Sequence, residues 1–190
     1  MVVYSSKPMR QKGFTLIELL VVIAIMGILT MLTIAGYDNY RKVQILQTAS
    51  NEVATMLNLA RSRAQSQIKP PAPICADALP NLNKLYGYKV VIDSVSSPNK
   101  YTLYVSCSAA SPPIDPTTAA ITSADQPITQ QVKQLPKGVT FSNDRYFFFP
   151  IQTGGAYYPP GVGNNIITVN YGGKQKTITV DPTLGGVSIQ

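Results

Sequence analysis

The chain has 190 residues, a formal net charge of +7 at pH 7 and no histidine. Without histidine, the most frequent general base and zinc ligand are missing. The nine acidic residues are scattered, and neither a phosphate-binding glycine-rich motif nor a nucleophile elbow is present. The composition therefore argues against an enzyme and indicates no metal and no cofactor. The mildly basic balance is compatible with nucleic acid or anionic surfaces, but by itself it specifies no partner.

Six of the acidic residues lie mostly next to turns or prolines, where aspartate side chains favour turn formation. They are Asp77, Asp93, Asp115, Asp125, Asp144 and Asp181. We interpret them as turn formers rather than as catalytic pairs.

A continuous apolar run covers residues 14–36, and Glu18 carries its only charge. As an α-helix these 23 residues would span roughly 34 Å, enough for a bilayer core of about 30 Å. A secretory signal peptide has a shorter apolar region, followed by a small cleavage residue. Here the small residue, Gly13, precedes the run, so cleavage after it would leave the hydrophobic helix on the mature chain.

The segment Gly13-Phe14-Thr15-Leu16-Ile17-Glu18 resembles the prepilin signal of type IV pilins and type II secretion pseudopilins. The resemblance implies that a prepilin peptidase removes the leader, residues 1–13, by cleaving after Gly13. It also implies that the new terminal amine of Phe14 is methylated and that Glu18 is the assembly carboxylate. The implied partners are this peptidase, an inner-membrane assembly platform and other subunits of a helical filament. An uncleaved single-pass membrane anchor is the alternative.

Glu18 is costly in a membrane helix unless its charge is paired. An acidic residue at the helix centre costs up to about 2.5–3.5 kcal/mol, and less near an end. Pairing with the cationic amine of Phe14 on a neighbouring subunit would offset this cost, and loss of either partner would leave the other charge unpaired. We therefore predict that Glu18→Ala preserves membrane insertion but impairs assembly.

Basic residues determine the expected orientation of this segment. Lys7, Arg10 and Lys12 precede the run without any acidic residue, so the N-terminal side is predicted to be cytoplasmic. Tyr37 and Tyr40 suit the opposite interface. We expect a single-pass inner-membrane protein whose bulk lies outside the cytoplasm, and by resemblance a later position in a pilus or pseudopilus, in the periplasm or at the cell surface.

An amphipathic pattern predicts that the helix continues through residues 37–68. Apolar or small residues recur at three- and four-residue steps, which is typical of one buried stripe. They are Val43, Leu46, Ser50, Val53, Leu57, Ala60 and Ala64. Prolines within residues 69–73 stop the helix.

The sequence pattern of residues 69–190 predicts a globular, β-rich domain. Strands are predicted at 85–93, 100–107, 128–134, 138–142, 145–150, 166–171, 176–180 and 187–190. Residues 108–127 and 150–165 are predicted loops. A long N-terminal helix packed on an antiparallel sheet gives an α+β fold, and the resemblance makes that fold pilin-like.

Cys75 and Cys107 are the only cysteines. Outside the cytoplasm a disulfide is the natural interpretation, and closing its loop would stabilise the domain by roughly 3–4 kcal/mol. Two separate buried thiols are the alternative.

Two weaker features suggest a subgroup and a second function. Residues 57–64 and the glycine-turn ending at 172–189 resemble H-type pseudopilins and FimT-type minor pilins. The main hypothesis is therefore a structural subunit, a minor pilin or pseudopilin of a type IV pilus or type II secretion pseudopilus.

The alternative is a DNA-binding minor pilin or pseudopilin for natural competence, in which Lys174, Lys176 and Tyr171 contact phosphate and a base face. Lysines on a hairpin also serve as a solvated edge that deters sheet aggregation.

Overall fold

The structure, a computed structural model, describes residues 13–70, 75, 84–95, 97, 99–108, 125–151, 154–158, 163 and 165–190. Within these ranges, the side chains of residues 32–36, 108, 125–127, 129 and 130 are left undescribed. The predicted leader up to residue 12 and the centre of the predicted loop, residues 109–124, therefore lie outside the described residues.

The described chain begins with one long helix and continues with antiparallel strands. The elements are α1 (Leu16–Gln65), β1 (Lys84–Asp93), β2 (Lys100–Ser108), β3 (Asp125–Gln134), β4 (Thr140–Phe141), β5 (Arg145–Pro150), β6 (Ile166–Tyr171), β7 (Lys174–Val180) and β8 (Val187–Ile189). The chain divides into two compact units, Met1–Arg41 and Lys42–Gln190. The α+β prediction is confirmed, with the helix packed on two antiparallel sheets rather than on one.

In the first unit, the helix from Leu16 onward carries large apolar side chains all round. Within the part of the chain that the structure describes, none of the helical residues form a segment with the length and hydropathy of a membrane span. The predicted run at 14–36 includes residues 32–36, whose side chains lie outside the described part. The membrane span therefore stays a prediction.

In the second unit, one face of α1 is buried against the sheets, as the periodicity predicts. The buried positions are Leu46, Ala49, Ser50, Val53, Ala54, Met56, Leu57, Ala60 and Ala64. Val43 was expected in this stripe, but its side chain is 41% exposed because the buried face begins only at Leu46. These residues join the strands in one hydrophobic core.

Helix α1 ends in a Schellman motif, which caps the free carbonyl groups of its last turn. Gln67 N–H donates to Ala64 O (3.2 Å) and Ile68 N–H donates to Arg63 O (3.1 Å). Gln67 adopts a φ of 50°, the left-handed conformation that this motif requires. The helix thus stops at Gln65, a few residues before the predicted end at 68, because local backbone bonds end it before the prolines do.

The first sheet has the order β3-β2-β1-β5 and contains the predicted β1–β2 hairpin, in which Asp93 pairs with Lys100. The second sheet has the order β4-β6-β7-β8. Its β6–β7 hairpin turns at Gly172 and Gly173, which have φ values of 55° and 77°. Two consecutive positive φ values define the tight turn that suits the twist of a hairpin. Strand β7 therefore starts at Lys174, two residues before the predicted strand at 176–180.

Candidate processing and assembly site

Gly13, Phe14 and Thr15 lie just before helix α1 and have no helical or strand structure. The Phe14 side chain is 88% exposed. Apart from the adjoining residues, no heavy atom of the residues that the structure describes lies within 4 Å of a Cβ built on Gly13. The predicted scissile bond between Gly13 and Phe14 therefore lies outside the helix, in an exposed segment that a protease can reach.

Thr15 and Glu18 form a capping box at the start of α1. Thr15 N–H donates to Glu18 Oε2 at 2.8 Å, and the Thr15 hydroxyl donates to the same oxygen at 2.9 Å. In return, Glu18 N–H donates to Thr15 Oγ1 at 3.3 Å. The arrangement satisfies two backbone donors that a helix N-terminus would otherwise leave unpaired.

This cap was not predicted, although its signal is present in the sequence. Thr15-x-x-Glu18 before an apolar run is the capping-box pattern. The resemblance directed attention to a partner for Glu18 on a neighbouring subunit. The structure adds a partner within the same chain.

The helix that follows the cap presents apolar side chains to the surroundings on every face. Large side chains that are roughly half or more exposed are Leu16, Ile17, Leu19, Leu20, Val21, Val22, Ile23, Ile25, Met26, Ile28, Leu29 and Met31. A cluster of exposed apolar residues on this scale marks a surface for membrane or protein association. A Cβ built on Gly27 meets nothing within 4 Å, so another helix has room to approach closely at that position.

Cys75 and Cys107 form a disulfide, with their Cα atoms 5.8 Å apart. Both residues are buried, at 1% and 6% exposure. The bridge ties the segment after α1 to the end of β2. The disulfide prediction is confirmed, and the alternative of two separate thiols is excluded.

Tyr171, Lys174 and Lys176 lie together on the β6–β7 hairpin, with Tyr171 paired to Lys174 across the strands. Alternation along β7 places both lysines on the same face as the buried residues Ile178 and Val180. All three candidate DNA-contact residues are half-buried. The structure thus brings them together, but on the core-facing side of the sheet rather than on its outer side.

Described aspartates in the β-rich part of the chain accept hydrogen bonds from residues in turns. Asp181 Oδ1 accepts hydrogen bonds from Thr183 N–H (2.8 Å), the Thr183 hydroxyl (2.6 Å) and Leu184 N–H (2.8 Å), and these bonds lower the pKa of Asp181. Asp144 accepts from the backbone and side chain of Ser94, which lowers the pKa of Asp144.

Asp93 shows the same behaviour, since its carboxylate accepts from Val95 N–H at 3.2 Å. The interpretation as turn formers is confirmed for Asp93 and Asp181. Asp144 instead accepts from Ser94, which lies 50 residues away in sequence, and so holds a turn of another segment. Asp77, Asp115 and the Asp125 side chain lie outside the described residues. Among the residues that the structure describes, no group of three or more His, Cys, Asp or Glu side chains is arranged to hold a metal ion.

Comparison with known proteins points to the same N-terminal segment. Residues 8–34 match a family described as the prokaryotic N-terminal methylation motif. A curated relative, a fimbrial protein of Pseudomonas aeruginosa, is 39% identical over 70 residues, and a second fimbrial protein of that organism matches to the same extent. Each match covers 37% of this chain and 43% of the relative. No solved structure matches.

These comparisons support the resemblance stated from the sequence at the level of the motif and a distant fimbrial similarity. Fimbrial proteins are structural proteins, in agreement with the prediction that the chain is not an enzyme. Residues 8–34, which match the family, include the capping box, the first turns of the exposed apolar helix and the Gly13–Phe14 bond, which are the residues predicted from the sequence for processing and assembly.

Proposed function

We propose that this chain is a structural subunit of a pilin-like filament. A prepilin peptidase cleaves it after Gly13, the new amine of Phe14 is methylated, and the exposed apolar helix anchors the chain in the inner membrane before assembly. The subunit is a minor pilin or pseudopilin, and in the filament the helix packs against those of other subunits. The observation that carries the proposal is the match of residues 8–34 to the methylation motif. These residues include the first turns of a helix whose apolar side chains are exposed all round.

The capping box leaves Glu18 able to bind a neighbouring subunit. Both hydrogen bonds from Thr15 go to Oε2, and no bond between Oε1 and another described residue is seen. A carboxylate accepts about four hydrogen bonds through its two oxygens. The cap therefore orients Glu18 and still leaves acceptor capacity for the cationic amine of Phe14 on the next subunit.

Two substitutions at Glu18 separate the cap from the intersubunit charge pair. Glu18→Gln keeps an acceptor at the third helical position, where glutamine also completes a capping box, but it removes the charge. Glu18→Ala removes both. We expect both variants to enter the membrane and neither to be incorporated normally into filaments, as measured by the amount of the chain in sheared filament fractions.

Comparison of the two variants distinguishes a role of Glu18 in the helix cap from a role in the intersubunit charge pair. Normal incorporation of Glu18→Gln together with failure of Glu18→Ala would show that the cap alone matters and would contradict the charge pair. Normal incorporation of both variants would contradict any assembly role for Glu18. Membrane fractionation of each variant is the control for insertion.

Cleavage after Gly13 and methylation of Phe14 can be measured directly. Mass spectrometry of the purified chain is expected to find N-methylated Phe14 at the mature terminus. An intact residue 1–13 leader on membrane-bound chains would instead support the uncleaved single-pass anchor. The relative abundance of the chain in purified filaments then separates a minor subunit from a major one.

DNA binding for natural competence is the second candidate function, and the clustering of cations at the β6–β7 hairpin favours it. Lys174 and Lys176 follow the turn, and the Lys42 side chain lies beside Gly172, about 3.1 Å from the position of a Cβ. Three neighbouring cations attract a phosphate backbone. Salt-dependent DNA binding by the detergent-solubilised chain, lost in the Lys174→Ala/Lys176→Ala double variant, would support this role, and absence of binding at low salt would remove it.

A further inference from the structure

A concave groove lies between helix α1 and the edge of the first sheet, within the second unit. Its volume is about 610 Å³, within the range of roughly 300–1,000 Å³ typical of small-molecule sites. The residues that line it are Thr48, Asn51, Glu52, Thr55, Met56 and Leu59 on α1, Tyr101 on β2, and Gln131, Lys133 and Gln134 on β3. Hydroxyl and amide groups dominate this lining.

Tyr101 forms a fixed element of the groove wall. Its side chain is only 2% exposed, and its ring packs edge-on against Phe141 with centroids 6.1 Å apart and an interplanar angle of 85°. Its hydroxyl makes no hydrogen bond to any other residue that the structure describes. The Tyr101 oxygen is not among the enclosed, unpaired side-chain atoms of the described residues, so it faces the open groove and is available there to a ligand.

The hydroxyl of Tyr101 also keeps its proton. Burial, together with the negative charge of Glu52, raises the pKa of Tyr101 to about 12. At neutral pH the hydroxyl is therefore both a donor and an acceptor. Lys133, which pairs with Tyr101 across β2 and β3, adds a cationic donor on the same face.

The charges and polar groups that line the groove restrict the class of ligand that it can bind. Glu52 and Lys133 carry opposite charges, so the groove does not favour a polyanion such as nucleic acid, whose phosphates Glu52 would repel. Side-chain amides, hydroxyls and a carboxylate together offer both donors and acceptors, which matches a molecule whose hydroxyls both donate and accept. Met56 and Leu59 add an apolar patch that suits a methyl group.

We propose that this groove binds a saccharide bearing acetamido groups, with the Tyr101 hydroxyl, Glu52 and the side-chain amides as its hydrogen-bonding partners and with Met56 and Leu59 against the acetyl methyl. This site lies within the second unit. It would give the subunit a contact to glycan in addition to its filament role.

The test uses the full chain in detergent micelles and N,N′-diacetylchitobiose as the probe. Saturation-transfer NMR is expected to show transfer to the acetyl methyl groups of the disaccharide. Cellobiose has the same linkage without acetamido groups and is expected to bind more weakly. Tyr101→Phe removes only the hydroxyl and is expected to weaken binding by about 3- to 10-fold, the effect of one hydrogen bond.

Tyr157→Phe is the matched control, because this tyrosine is 41% exposed and does not line the groove. It is expected to bind the disaccharide as the unmodified chain does. Glu52→Gln, at an exposed position on α1, provides a second groove variant should Tyr101→Phe fail to fold, and it is also expected to weaken binding.

Three outcomes would overturn the proposal. The first is absence of saturation transfer from the folded, unmodified chain at all disaccharide concentrations. The second is unchanged affinity in both groove variants. The third is equal binding of cellobiose and diacetylchitobiose, which would exclude recognition of the acetamido group.

Discussion

Thr15 and Glu18 bond to each other reciprocally at the start of α1, through Thr15 N–H to Glu18 Oε2 at 2.8 Å and Glu18 N–H to Thr15 Oγ1 at 3.3 Å. Thr15, which follows the predicted first residue of the mature chain, is thus the N-cap of the helix. The cap determines where the helix begins, and it leaves Gly13 and Phe14 outside the helix. The predicted cleavage bond and the start of the helix therefore lie in adjacent, separate parts of this segment.

Removal of the threonine hydroxyl is expected to fray the first turn of the helix. In Thr15→Val the acceptor for Glu18 N–H is lost, and loss of an N-cap costs about 0.5–2 kcal/mol. Hydrogen exchange at the Glu18 amide, measured for the chain in micelles, is expected to accelerate by about 2- to 30-fold. Thr15→Ser keeps the hydroxyl and is the control. Equal exchange rates in the valine and serine variants would contradict the cap.

Gln67→Gly is expected to stabilise the second unit. Gln67 occupies the left-handed position of the Schellman motif with a φ of 50°, a conformation that glycine adopts without a steric penalty. We expect the free energy of unfolding in urea to rise by about 0.5–1 kcal/mol. Gln65→Gly, two positions earlier and still helical, is the matched control and is expected to lower it by about 1 kcal/mol. Destabilisation by both variants would show that the left-handed residue is not strained.

Ser50→Ala is expected to stabilise the same unit for a different reason. Ser50 is fully buried, and its Oγ makes no hydrogen bond to the part of the chain that the structure describes. Alanine removes this unpaired hydroxyl and has a higher helix propensity, which together predict a gain of about 1 kcal/mol. Ser62→Ala, at an exposed position of α1, measures the propensity contribution alone. An equal gain in the two variants would show that the Ser50 hydroxyl carries no burial cost.

The sequence predicted those parts of the fold that depend on local pattern. The β1–β2 hairpin and the stripe that includes Val53 and Leu57 follow from alternation and helical periodicity, which neighbouring residues alone determine. Val43 shows the limit of this reasoning, because its periodicity fits the stripe while burial depends on which strands lie opposite. Division of the strands into two sheets likewise depends on long-range pairing that periodicity does not encode.

The same contrast between local pattern and long-range pairing applies to the candidate sites. The Gly13–Phe14 bond and Glu18 could be predicted as a site because the residues that define them are contiguous. The groove between α1 and the edge of the first sheet could not be predicted, because it joins Glu52 on α1 to Tyr101 and Lys133 on distant strands. Nothing in the sequence near any one of these residues distinguishes it from an ordinary surface or core position, so the fold is needed to show them together.

Tyr101 also predicts how stability depends on alkaline pH. Its pKa in the folded chain is raised from 10.0 to about 12, chiefly by burial and further by Glu52. The folded state therefore holds the Tyr101 proton more tightly than the unfolded state does. This contribution to stability is fully present below pH 10 and is lost as the pH rises from about 10 to about 12.

Urea unfolding followed by circular dichroism between pH 9 and about pH 12 measures this loss. Tyr101→Phe is expected to reduce the decline in the free energy of unfolding across that range, because phenylalanine does not titrate. Tyr88, whose pKa burial also raises, is expected to maintain part of the decline in this variant. The exposed Tyr157→Phe is expected to leave the profile unchanged, since it removes a phenol that lies outside the core. An identical decline in the unmodified chain and in Tyr101→Phe would show that the Tyr101 phenol titrates alike in the folded and unfolded states, and that its hydroxyl is not held protonated in the groove.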